Sequence, residues 1–179
     1  MIIYKDIVTG DEIISDTYKL QDIDDVVYEV DCRKVTKGAD NIDIGANPSA
    51  EEQEEALEEG QTQVIDVIDG FRLNPLGDPS TGNRGFASKK EFAAQFKGYL
   101  KKVVEKLKEA GKDEAFIKDF QKGVQGYYTK KIVPNFGDYD FYTGESMDPD
   151  GMVVFLNYRE DGMTPYVIIW KHGLSEMKV

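Results

Sequence analysis

Between Ser88 and Val133 apolar residues recur at intervals of three and four, and this stretch limits the fold more than any other in the chain. Phe92, Phe96, Tyr99, Leu100, Val103 and Leu107 make a stripe down one helix, and Phe116, Ile117, Phe120, Val124, Tyr127 and Tyr128 make a second. Ser88-Lys89-Lys90-Glu91 is a capping box, in which hydroxyl and carboxylate each satisfy a free backbone N–H. Gly111 ends the first helix, and Pro134, lacking an N–H, forbids continuation of the second. Helices joined by so short a link pack antiparallel, so the pattern predicts a helical hairpin over 88–133. Each stripe is one-sided and needs cover from elsewhere in the chain.

That cover is predicted to be β-structure. Short apolar runs broken by Asp and Gly flank the hairpin: Ile2 to Tyr4, Ile13 and Ile14, Val26 to Val35, and Val64 to Ile68 extending to Leu73. In the third run Tyr28, Val30 and Cys32 fall on one face and Glu29, Asp31 and Arg33 on the other, the period of a half-buried strand. Beyond Pro134 the runs are Tyr139 to Thr143, Met152 to Tyr158, Pro165 to Trp170 and Glu176 to Val179. Residues 36–63 differ, with six glutamates between Glu51 and Glu59 and few apolar side chains, and read as a mobile acidic loop. The expectation is one α+β domain over 1–179, with core strands in 1–35, 64–73 and 138–179.

Charge narrows the function. The net charge is −12, which argues against direct nucleic-acid binding by the whole molecule. No apolar run reaches the ~18 residues of a membrane span, and the N-terminus turns acidic before a signal peptide could develop. One cysteine, Cys32, permits no internal disulfide, so a cytoplasmic location is expected. The charge is also uneven. Met1 to Gly70 carries nineteen acidic against five basic residues, whereas Arg84 to Lys131 carries thirteen basic against six acidic. Lys97, Lys101, Lys102, Lys108, Lys118, Lys122, Lys130 and Lys131 therefore read in two ways: as the solvated faces of amphipathic helices, or as a patch for an acidic partner.

Catalytic machinery is not legible. His172 suits a strand end or turn, Cys32 a buried thiol, and neither has the partner that nucleophilic catalysis requires. No Cys-x-x-Cys or His pair offers zinc ligands, and no phosphate-cradling glycine loop follows a strand. Asp148-x-Asp150-Gly151 matches only part of a calcium loop and reads as a turn. The expectation is a protein that is not an enzyme and has no cofactor, with calcium held weakly by the acidic loop.

Three stretches together resemble one family. They are Met1-Ile2-Ile3-Tyr4-Lys5-Asp6 with Gly10-Asp11-Glu12, then Ile44 to Glu51 (IGANPSAE), then Phe141 to Val154 (FYTGESMDPDGMVV). They look like the translationally controlled tumour protein family, and Asn157 to Tyr166 is similar too. The resemblance implies a β-tent of small mixed sheets carrying a projecting helical hairpin and a flexible acidic loop. It implies similarity to a zinc-bearing Rab-binding release factor, although this chain lacks the cysteines for that zinc. It further implies association with microtubules and the cytoskeleton, with the translation elongation machinery in protein synthesis, with calcium, and with small GTPases of the Rheb type as a regulator or nucleotide-exchange partner. Glu12 matches the acidic residue to which that GTPase role is attributed, and Glu145 is expected on the same face.

Overall fold

Both flanks of the hairpin form antiparallel sheets in the structure, a computed structural model that describes residues 1–37, 62–78, 81–83, 85–86 and 88–179. The strands are β1 (Ile2–Asp6), β2 (Glu12–Ser15), β3 (Gln21–Ile23), β4 (Val27–Asp31), β5 (Lys34–Lys37), β6 (Thr62–Ile65), β7 (Asn74–Pro75), β8 (Asp140–Thr143), β9 (Val154–Tyr158), β10 (Pro165–Trp170) and β11 (Leu174–Lys178). They assemble as a three-stranded sheet β11-β1-β2, a six-stranded sheet β3-β4-β10-β9-β8-β7 and a ribbon β5-β6. Of the acidic loop expected over 36–63, residues 38–61 lie outside the described residues, and its two ends pair as that ribbon.

Two expected strands are corrected. The run from Val64 does not stay extended to Leu73. It ends at Ile65, and Asp66–Gly70 forms a short helix, α1. Asp66 causes the change: its Oδ1 accepts from the backbone N–H groups of Val67 at 2.8 Å and Arg33 at 2.9 Å, offering the backbone an alternative to the ladder. The run from Val26 to Val35 breaks at Cys32 and Arg33: the ladder to β10 ends where the Cys32 N–H reaches the carbonyl of Pro165, the first residue of β10, which has no N–H to return, and the Arg33 N–H turns to Asp66.

Sequence and structure agree closely on the hairpin. Helix α2 (Lys89–Glu109) begins where the Ser88 hydroxyl accepts from the Glu91 N–H. It stops where Gly111, at φ +84°, reverses the chain and the Lys112 N–H returns to the Leu107 carbonyl at 3.0 Å. Helix α3 (Glu114–Tyr127) is capped by Asp113, then widens to a π-turn over Tyr128–Ile132 before Pro134. The apolar stripes meet the six-stranded sheet. Phe96 lies 5.0 Å and Tyr127 5.9 Å, centroid to centroid, from Trp170 of β10, a strand whose six residues are all buried. Phe92 centres an aromatic cluster with Phe86, Phe96, Tyr128, Phe136, Phe141 and Phe155 at 5.1–6.1 Å. Burying each such ring contributes about 1.5–3 kcal/mol, so the hairpin and sheet stabilise each other. Leu107, near the hairpin tip, is also buried.

Candidate functional site

The β1–β2 connection is built around a carboxylate. Asp6, only 3 % exposed, accepts from the Val8 N–H at 2.9 Å, the Thr9 hydroxyl at 3.1 Å and, from far along the chain, the Met152 N–H at 2.7 Å. Burial pushes its carboxyl above the usual range, and these three hydrogen bonds oppose that shift. Its neighbour in the turn, Asp11, accepts from both the N–H and the hydroxyl of Ser146, at 3.3 and 2.5 Å. The segment 144–152 is thus pinned at both ends. Glycine is required at both points: a Cβ at Gly144 would sit 2.6 Å from the Asp11 Cβ, and one at Gly151 2.5 Å from the Thr9 methyl.

This seam places the two carboxylates singled out in the sequence. Glu12 opens β2 opposite Lys5 and is exposed. Glu145 is exposed and pairs with Arg72 at 3.0 Å. Each adjoins in sequence one partner of the Asp11–Ser146 contact. Asp148 accepts from the Asp150 N–H at 2.9 Å, and Asp150 pairs with Lys102 at 3.0 Å, so the partial calcium-loop pattern is used as a turn. Among the described residues no three His, Cys, Asp or Glu side chains converge to hold a metal ion.

The lysines divide into groups. At 3.6 residues per turn, Lys97, Lys101 and Lys108 fall within roughly 40° of one another on α2, and the buried stripe is centred roughly 140° away. Lys90 lies on the same line and was missed in the sequence, although its spacing of seven from Lys97 marks it. All four are exposed, and none makes an ion pair among the described residues. Lys102 is instead turned to Asp150. Lys118 and Lys122 are exposed one turn apart on α3, Lys130 is exposed in the π-turn, and Lys131 is half-buried with its Nζ 5.7 Å from the Tyr166 ring. The eight do not make one uniform patch; the stripe on α2 is its continuous part.

A second correction concerns Glu29, placed outward by the alternation of β4. It is 6 % exposed, bound to Arg159 Nη1 at 2.6 Å and to the Tyr127 hydroxyl at 3.2 Å. Arg159 also donates to Asp31 at 2.7 Å and stacks over Tyr166, 3.9 Å from the ring centroid. The signal was the Arg159 opposite a strand of mixed polarity, which β4 alone could not show. Cys32 is buried, and desolvation pushes its thiol up to about 12, far from a reactive thiolate. His172 packs edge-on against Phe116 and Phe120 and donates to the Asp25 carbonyl at 2.9 Å.

Comparison with known proteins agrees with this architecture. A family model described as translationally controlled tumour protein matches residues 1–175. Translationally controlled tumor protein homologs of Alternaria alternata and Saccharomyces cerevisiae are 58 % and 51 % identical, each over 100 % of both chains. A solved structure of the translationally controlled tumor-associated protein of Schizosaccharomyces pombe is 48 % identical and superposes with TM-score 0.75, covering 100 % of both chains. That of the Caenorhabditis elegans translationally controlled tumor protein is 27 % identical with TM-score 0.68, covering 100 % of this chain and 99 % of its own.

Proposed function

The chain belongs to the translationally controlled tumour protein family, and from that membership and its surface we propose that it is a non-catalytic docking protein of the cytoplasm whose basic helix α2 engages acidic polymers. The glutamate-rich tails of tubulin are the first partner to try, with microtubule stabilisation as the consequence. The translation elongation machinery is a further partner in the same reading, and calcium is held weakly by the glutamate run of residues 38–61. One observation carries the reading: Lys90, Lys97, Lys101 and Lys108 lie exposed along one face of α2, and none of the four makes an ion pair among the described residues. Such a line attracts a polyanion over a distance set by the Debye length, which falls from about 10 Å at 0.1 M to about 3 Å at 1 M salt. Co-sedimentation with microtubules across a salt series tests it. Binding should weaken steeply with salt and drop about tenfold in Lys97→Glu/Lys101→Glu. Binding indifferent to both changes removes the proposal.

A second reading is regulation of a small GTPase of the Rheb type through Glu12 and Glu145. The Asp11–Ser146 contact, which joins their sequence neighbours, supports it. Nucleotide release from the GTPase should be faster with the wild-type chain than with Glu12→Val, and equal release rates count against it.

A further inference from the structure

Strand β11 is an edge of the three-stranded sheet, and among the described residues it pairs with β1 alone. The ladder fixes which way each of its backbone groups points. The Ile7 N–H donates to the Gly173 carbonyl at 2.8 Å, and the Val179 N–H to the Met1 carbonyl at 2.9 Å. With Lys5 opposite Ser175 and Ile3 opposite Met177, these odd-numbered residues direct their N–H and C=O groups at β1. Those of Glu176 and Lys178 therefore point away from the sheet, and an edge of this kind is a template for a further strand.

The side chains say which strand fits. Glu176 and Lys178 are exposed, and neither makes an ion pair among the described residues. Tyr4 and Leu174 pack against the core, so alternation puts Met1, Ile3, Met177 and Val179 together on the outer face. There Met1 is 60 % and Val179 70 % exposed, with half-buried Ile3 and Met177 beside them. A second copy of β11 laid antiparallel on the first has to set outward-pointing residues against outward-pointing residues, so the pairing must centre on a residue. Centring on Glu176 or on Lys178 puts like charges face to face, which is destabilising. Only the register centred on Met177 sets Glu176 opposite Lys178 of the second copy, at two symmetric places where each pair exchanges both N–H···O bonds. It also brings the two Met177 side chains into the closer, non-hydrogen-bonded position and joins the two apolar strips. We propose that β11 is a self-association edge, at which two copies of this chain pair antiparallel about Met177 into one continuous sheet. The contact is isologous and closes on itself, and it uses neither the α2 lysines nor Glu12 and Glu145.

Sedimentation velocity of the full chain from about 1 μM to about 1 mM, at roughly 0.15 M salt to screen repulsion between two chains of net charge −12, tests it. The wild-type chain should pass from monomer to dimer across that range. Lys178→Glu and Glu176→Lys should each weaken dimerisation about tenfold, and the swapped chain Glu176→Lys/Lys178→Glu should return to within about threefold of wild type. Glu176→Pro removes an N–H that β1 does not use, so the sheet should survive and the dimer be lost. The swap conserves composition and charge, so it decides the matter even where the proline variant loses its fold. A wild-type chain that stays monomeric throughout overturns the proposal. So does a dimer indifferent to the single charge reversals, one that the swap does not rescue, or one that persists in a folded Glu176→Pro chain.

Discussion

Gly173, in the turn between β10 and β11, has no left-handed φ to explain it. Its reason is proximity: a Cβ there would fall inside the van der Waals shell of the Tyr99 hydroxyl and 2.7 Å from the Met152 methyl. Both neighbours are fully buried, so neither can retreat. Gly173→Ala should cost about 1–3 kcal/mol by overpacking, seen as a lower denaturant midpoint. Asp6 makes a different statement. Its carboxyl is raised by burial, so the folded chain holds a proton that the unfolded chain releases. Its contribution to stability is full below the ordinary carboxylate value and declines as pH rises through the raised one. Asp6→Asn should remove that decline from the stability–pH curve while lowering stability overall, since an amide cannot accept all three donors. Urea titrations of both proteins between pH 3 and 7 would show it, and parallel curves would contradict it.

At the level of elements, the Glu29–Arg159 pair joins β4 to the end of β9 and, through Tyr127, to α3. Breaking a buried pair on one side strands a charge and costs about 3–5 kcal/mol. Arg159→Ala should fall in that range, while Glu29→Leu/Arg159→Met should cost less. Comparing the two by chemical denaturation separates charge burial from packing. The hairpin was legible from sequence because its signals are local: the stripe, the Ser88 cap, Gly111 and Pro134 all lie within the element they define. The pairing of Glu29 was not legible, because its partners come from other elements, and polarity alternation assumes that a carboxylate faces water. The same limit applied to α1, where Asp66 turned the chain within an apolar run. Glu12 and Glu145 were found by resemblance, but the Asp11–Ser146 contact between their sequence neighbours required coordinates.

Across the whole molecule, charge separates into an acidic body and a basic line on α2. Salt should therefore act with opposite signs on stability and on docking. Screening relieves self-repulsion in a chain of net charge −12, and each kcal/mol regained raises Tm by about 2–4 °C in a domain of this size. Moderate salt should raise Tm while weakening capture of a polyanion, and melting curves beside sedimentation at matched ionic strength would reveal a trend of one sign if the separation were absent. The order of strands in the large sheet bears on biogenesis. β4 pairs with β10, and β10 is translated well over a hundred residues later. At roughly 5–20 residues per second on the ribosome, the buried valines of β4 wait about 7–27 s for the neighbour that hides them. The growing polypeptide is therefore vulnerable to aggregation until its last quarter emerges, which makes it a natural client for chaperones that hold nascent chains.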